Sequence, residues 1–284
     1  MKRILVAADL TAGSAAAVGR ACRIANAQSA ELRFLHVLHA PATEREREAA
    51  RLALHDQVEN HSAAPQGVEL DLAITVVDGN PAESILDEAG DFAADLVVLG
   101  THGEPKLSDA IFGTVGSHVM RHSNCPVLVV QDDDGRPYEQ ILAAIGGDED
   151  DRLLQMAFTI STPKDVHIVH AYGSAFESLF GTGDVMEDVR TEQEVQLLRV
   201  RRSLAAAGVP ASSVRLHNVV REGDVMDVIG SAWREAEPDL LVMGTHGRGG
   251  IARLFLGSYA EHVLFGYRSD ILILRSGGRT AAPA

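Results

Sequence analysis

Short apolar runs alternate along this chain with segments whose apolar positions recur every three or four residues. Arg3 to Ala8 is the first run, closed by Asp9, and predicts a buried strand. Thr11 or Ser14 then caps a helix whose Ala-rich face passes through Val18, Ala21 and Ile24 to Ala27. Glu31 to Leu38 predicts the second strand. Ala42 to about His61, rich in Arg, Glu and Ala with apolar Ala49, Leu52 and Val58, predicts a solvent-facing helix. Val68 to Val77 predicts the third strand, and Asp78-Gly-Asn-Pro81 a turn whose proline opens a helix carrying Ile85 and Leu86. A fourth strand at Leu96 to Leu99, a helix from Thr114 to about His122 and a fifth strand at Val127 to Val130 complete the series.

The same order then recurs. Strands are predicted at Ile141 to Ile145, Val166 to Ala171, Val214 to Val220, Leu240 to Met243 and Ile271 to Leu274. Helices are predicted at about Arg152 to Ile160, Val185 to Ala207, Val225 to Glu235 and Ser258 to Phe265. Between the halves, Asp132-Asp-Asp-Gly-Arg-Pro137 is charged and aperiodic, a linker composition. The expected organisation is a first domain over 1–131, a linker over 132–138, a second domain over 139–276 and a flexible tail over 277–284. Strands of nearly continuous Val, Ile and Leu between helices predict α/β architecture: a doubly wound, five-stranded, mostly parallel sheet in each repeat. Right-handed crossovers place every strand-to-helix loop at one sheet edge, where open α/β sheets bind ligands. The pattern leaves strand order open.

One stretch occurs twice. Asp95-Leu-Val-Val-Leu-Gly100-Thr-His-Gly103 is followed after nine residues by Gly113-Thr114, and Asp239-Leu-Leu-Val-Met-Gly244-Thr-His-Gly247 after nine by Gly257-Ser258. A strand running into a glycine-bounded loop, then a step opening a helix, suits an anion: the backbone approaches closely, and the helix start offers unpaired N–H groups. The formal net charge of −15 argues against a nucleic-acid or anionic-membrane binder, but not against a small anion held by backbone amides. Only two cysteines occur, Cys22 and Cys125, which suits a reducing cytosol rather than a disulfide framework. Met1-Lys-Arg leads directly into a strand, so no signal peptide is expected, and no apolar run approaches the roughly 20 residues of a membrane helix. A cytoplasmic protein is expected.

At the spacing Gly-x2-Gly-x9-Gly-Ser/Thr, with a strand before, a helix after and a closing Cys125-Pro-Val-Leu-Val-Val130 type of strand, the chain resembles the universal stress protein family in its tandem, two-domain form. The resemblance spans Ile4 to Val130 and Ile141 to Leu274. It implies a flavodoxin-like fold and, in one branch, ATP at the loop edge (ADP or AMP being the alternatives), with Mg²⁺. Carried over by position, it implies Ala7 and Asp9 at the end of strand one and Val37 against the adenine. Gly100 and Gly103 then belong to the ribose and phosphate loop, and Gly113, Thr114 and Val115 supply phosphate donors. In the second repeat it implies Gly244, Gly247, Arg248, Gly257, Ser258 and Tyr259, with Ala171 where Val37 stands. Two departures bear on this. Gly146 stands where Asp9 does, with Asp148 two residues late, and the first loop carries Glu104-Pro-Lys106 where the second has Arg248-Gly-Gly250. Two, one or no bound nucleotides are compatible with that pattern.

Bland readings stand beside these. Glycines often only make turns, and Asp9 is either a ligand group or a helix cap. His102 and His246 have no nucleophile and carboxylate at recognisable spacing, so loop packing is expected of them. His36, His39, His167 and His170 near strand ends bring zinc to mind, but without Cys-x2-Cys or His-x3-His spacing among them. The acidic run Asp148 to Asp151 reads as a solvated helix start. The expected function is stress-response regulation by adenine-nucleotide binding. The alternatives are a slow ATPase or adenine-nucleotide hydrolase, toward which Ile145-Gly-Gly-Asp-Glu149 carries only a faint resemblance, and a ligand-free interaction module. An internal pseudo-dimer of the repeats is expected, because strand five of each would otherwise be an apolar edge, with a homodimer of whole chains as the further expectation.

Overall fold

Strands that follow one another in parallel need a crossover, and each crossover that the described residues span is made by a helix. The structure is a computed structural model that describes residues 1–39, 41–61, 71–101, 114–145, 150–172, 185–244 and 268–275. Two compact units are formed, Met1–Arg136 and Pro137–Ser276. In the first, the elements run β1 (Arg3–Ala7), α1 (Ala12–Gln28), β2 (Glu31–Leu38), α2 (Glu44–His61), β3 (Leu72–Asp78), α3 (Pro81–Asp91), β4 (Leu96–Gly100), α4 (Thr114–His122) and β5 (Val127–Val130). The strands lie in the order β3-β2-β1-β4-β5, all parallel. Helix α1 packs on α2 and over β1 and β4, whereas α3 packs on α4 and over β1 and β2.

The second unit has β6 (Gln140–Ala144), α5 (Asp150–Thr159), β7 (Asp165–Tyr172), α6 (Val185–Ala206), a 3₁₀ turn (Ala211–Ser213), β8 (Arg215–Glu222), α7 (Val225–Ala236), β9 (Leu240–Gly244) and β10 (Asp270–Leu274). Its parallel order, β8-β7-β6-β9-β10, repeats that of the first unit. Each unit is a flavodoxin-like α/β domain. The helix expected over 258–265, the tail over 277–284 and the start of the third strand before residue 71 lie outside the described residues.

Local chemistry explains the element starts. Thr11 caps α1, its hydroxyl accepting from Ser14 N at 3.4 Å. Thr43 and Glu46 form a reciprocal capping box on α2: Glu46 N donates to the Thr43 hydroxyl at 3.3 Å, and Thr43 N to the Glu46 carboxylate at 2.7 Å. Asn80 caps α3 ahead of Pro81, and Asp224 caps α7. The buried stripe of α2 differs from the sequence expectation. Ala50, Leu54 and Val58 face inward, while Leu52 is 58% exposed and Ala49 also faces solvent. Burial of Leu54 and Val58 favours this rotation, and Arg47, which meets Asp78 at the end of β3 at 2.6 Å, is consistent with it. The run expected to be a solvated helix start is also more engaged, since Asp151 meets Arg199 of α6 at 3.1 Å.

A carboxylate just before the fourth strand of each unit clamps the start of the first. Asp95 accepts from the amides of Lys2 at 2.6 Å and Arg3 at 3.1 Å, and Asp239 from those of Glu139 at 2.7 Å and Gln140 at 3.1 Å. The segment expected as linker is tied down too. Buried Arg20 of α1 donates to the Arg136 carbonyl at 2.5 Å, and Arg20 and Arg23 both pair with Asp133. Tyr138 is buried in the second unit, its hydroxyl donating to Asp270.

Two further contacts set how tightly the layers pack. At Gly100 a Cβ would fall on the Gly13 carbonyl, 2.6 Å from its carbon and 2.9 Å from Ser14 Cα, so the start of α1 presses backbone to backbone against the end of β4. In the second unit, Asp165 at the start of β7 accepts from Arg215 at 2.7 and 2.6 Å, from Gln140 at 3.1 Å and from His217 at 2.8 Å. The Arg215 hydrogen bonds, against the opposing effect of burial, hold the Asp165 carboxyl well below the usual carboxylate range.

Gly100→Ala should therefore cost about 1–3 kcal/mol in urea unfolding, because backbone cannot yield as a side chain does. Gly90→Ala, whose new methyl meets nothing within 4 Å, should be neutral or stabilising by about 0.5–1 kcal/mol. For Asp165→Asn the urea midpoint should fall at pH 7. A depressed folded-state pKa gives stability that is present above the unfolded value of about 3.9 and lost as pH falls below it, so the deficit should shrink in acid from about pH 4 downward.

Candidate functional site at the carboxyl edge of the sheet

In a parallel sheet the strand register decides which residues meet at the edge. Ala7 of β1 stands opposite Leu35 of β2 and Leu99 of β4. Asp9, two residues past the end of β1, and Val37 of β2 therefore emerge at the same edge, and Gly100 at the end of β4 lies beside them. This is also where the connectivity reverses: β2 lies on one side of β1 and β4 on the other, which opens a crevice beyond their carboxyl ends. In the second unit Ala144 stands opposite Val169 and Met243, which brings Ala171 and Gly244 to the corresponding places.

The β1–α1 turn is built for presentation. Leu10 takes a left-handed φ of 64°. Exposed Asp9 uses Oδ1 to accept from the Thr11 amide at 3.0 Å and the Thr11 hydroxyl at 2.6 Å. Asp9 is thus not the cap of α1; it braces Thr11, which is. Its Oδ2 has no partner among the described residues and is available to a hydroxyl or amine. Ala7 and Val37 are half-buried, so a small apolar surface lies beside that carboxylate. Thr101, following Gly100, is fixed by its amide donating to the Val130 carbonyl at 3.2 Å. Thr114 opens α4 and half-buried Val115 follows in its first turn, where backbone amides are unpaired by the helix. Gly103 and Gly113 lie outside the described residues, as do Gly247, Arg248, Gly257, Ser258 and Tyr259, and with them Gly146, Asp148, His102, His246 and the loop Glu104 to Lys106.

Sequence reading passed over a glutamine in each unit. Gln57 of α2 donates to the Thr11 carbonyl at 3.1 Å and to Ser14 Oγ at 3.2 Å, buttressing the turn that carries Asp9. Gln196 of α6, 1% exposed, donates to the Ile145 carbonyl at 3.3 Å and lies 3.3 Å from His170 Nδ1. A polar residue recurring among inward positions of an otherwise solvated helix was the available signal. An open concavity of about 530 Å³ lies nearby, lined by Leu10, Thr11, Ala15, Ala16, Gln57, His61, Asp132 and Asp133. It shares Leu10 and Thr11 with the Asp9 turn but reaches neither Val37 nor Gly100, and its carboxylates disfavour phosphate.

Of the histidines considered for zinc, His36, His167 and His170 make other contacts and His39 is exposed. His36 Nδ1 lies 2.7 Å from the Ala8 carbonyl, and His167 stacks on His217 with ring centroids 4.4 Å apart. Burial lowers the pKa of His170, with Glu192 opposing, and lowers that of His167, with His217 adding to the effect. Cys22 is buried, which pushes its thiol up to about 11, and Cys125 is buried as well. Neither is poised as a nucleophile. Among the described residues, no helix is long and apolar enough to cross a membrane.

Sequence comparison agrees with the doubled architecture. The chain is 29% identical over 240 residues to a universal stress protein E homolog of Haemophilus influenzae, covering 75% of each chain. To a universal stress protein of Mycolicibacterium smegmatis it is 25% identical over 293 residues, covering 96% of each. The fold is that of a universal stress protein from Archaeoglobus fulgidus, with a TM-score of 0.66 at 17% identity, over 97% of this chain and 98% of that one. The sequence profile of the universal stress protein family matches residues 1–131 and again 137–275, and the chain belongs to that family as a tandem, two-domain member.

Proposed function

We propose that the chain is a cytoplasmic regulatory protein of the stress response that binds an adenine nucleotide, ATP or else ADP or AMP, with Mg²⁺, at the carboxyl edge of its sheets. The observation that carries this reading is the convergence of Asp9, Val37 and Gly100 at the reversal point of the first sheet, with the start of α4 following the glycine loop. Asp9 accepts hydrogen bonds from the sugar or base through its unpartnered oxygen. Ala7 and Val37 flank the base, Gly100 and Gly103 let backbone approach the ribose and phosphates, and Gly113, Thr114 and Val115 donate to the phosphates. In the second unit Gly244, Gly247, Gly257, Ser258 and Tyr259 take the matching roles, with Arg248 supplying a phosphate cation.

Binding without turnover fits the side chains, since the described residues at this edge offer neither an activated nucleophile nor a base held by a carboxylate. Slow hydrolysis is the competing reading. Mass spectrometry of what denatured, freshly purified protein releases tests the first part, and the integrity of that nucleotide over hours with Mg²⁺ tests the second.

The two units also differ in their complements. The first has Asp9; the second has Gly146 at that position but Arg248-Gly-Gly250 in its loop. In calorimetric titration with Mg²⁺ and ATP, Asp9→Ala should weaken the tighter site about ten- to a hundredfold, the worth of one charged hydrogen bond. Gly257→Glu should remove the weaker one. If Asp9→Ala leaves binding intact and Gly257→Glu abolishes it, the second unit is the working site. We further propose that the two repeats pair through the apolar edge strands β5 and β10. A chain ending at Arg136 should then self-associate in sedimentation; a stable monomer would refute the pairing.

A further inference from the structure

Helix α4 carries His118-Val119-Met120-Arg121-His122, the His-x3-His spacing that His36, His39, His167 and His170 lack. Residues four apart stack one above the other on a helix, and here both histidines are exposed while Val119 and Met120 between them face the core. Their rings lie with centroids 4.1 Å apart and planes inclined by 22°. His122 Nδ1 sits 2.9 Å from the His118 carbonyl, so it carries the proton and donates, which leaves the Nε2 lone pair facing solvent. That is the tautomer and the backbone-carbonyl support typical of a metal-bound imidazole. The His118 ring has no hydrogen-bond partner among the described residues and is free to turn about its side-chain torsions.

We propose that His118 and His122 form a two-nitrogen site for a late first-row divalent cation of the zinc class on the exposed face of α4. Zinc–nitrogen bonds of about 2.0–2.1 Å in a tetrahedral arrangement need the two nitrogens about 3.3 Å apart, a separation that rings already 4.1 Å apart reach by rotating from stacked to convergent. Water fills the remaining positions. The site sits in the last turn of the helix, whose negative dipole end favours a cation, and the net charge of −15 favours cations around the whole protein. Exposed Arg121 beside the pair opposes this. It is a full positive charge in water, which screens it far more than it weakens a direct metal–nitrogen bond.

The test uses the full chain, stripped with a chelator and titrated with Zn²⁺ against a chromogenic competitor. His118→Gln and His122→Gln should each weaken the tightest zinc site about tenfold or more. His55→Gln, which breaks an exposed His55, Asp56 and Glu59 group on α2, and His167→Gln, which breaks the stacked pair on the second sheet, should leave it unchanged. Cu²⁺ added to the ¹⁵N-labelled chain should broaden the amide signals of residues 114–122 before any others. The proposal is overturned if the tightest site survives both substitutions on α4, if it disappears with His55→Gln or His167→Gln, or if the broadening begins outside α4.

Discussion

The first strand of each unit is hydrogen-bonded on both sides, and that pairing has to be in register before anything at the sheet edge can be placed. A slip of one residue would turn every side chain of a two-faced buried strand to the wrong layer. Asp95 and Asp239 work against such slippage at the amino ends, each holding two successive amides of the neighbouring strand. With the amino ends fixed, the levels of Ala7, Leu35 and Leu99, and of Ala144, Val169 and Met243, follow at the other edge. The placing of Asp9 beside Val37 is thus decided some 15–20 Å away, since strands advance about 3.3 Å per residue.

The alternation of apolar runs and amphipathic segments was enough to read the element order and the doubling, because buried parallel strands are nearly pure Val, Ile and Leu and leave little ambiguity. Strand order was not readable, since hydrogen-bond partners across a sheet leave no periodic trace in sequence. The face of α2 was misread for a different reason. Ala and Leu occur on several sides of it, and which side turns inward is decided by tertiary packing against the rest of the unit, where Ala50, Leu54 and Val58 are buried. At the candidate site, Asp9 and Val37 were legible as strand-end residues. The brace from Asp9 to Thr11 and the support from Gln57 were not, because both depend on a left-handed residue, Leu10, that no composition rule anticipates.

The two units solve one packing problem by different chemistry. At the third position of β2, Arg33 pairs with Glu88 of α3 at 2.6 Å and lies over the Phe92 ring at 4.0 Å. At the third position of β7 the residue is His167, stacked on His217, which in turn leans on the Asp165 carboxylate already shared by Arg215 and Gln140. In the first unit a cation reaches from the sheet to a helix; in the second, neighbouring strands are stitched to each other. Equal folds therefore need not have equal sensitivity to acid or salt.

Gly100 has a consequence for how such a protein changes over generations. The backbone of Gly13 and Ser14 already requires its missing side chain, whatever the sheet edge binds. Selection for folding would keep glycine at this position in a lineage that had ceased to bind anything, while exposed Asp9, whose hydrogen bonds among the described residues stay within its own turn, would be held less firmly. Of the two, the carboxylate is the one whose persistence among descendants would record a ligand still in use.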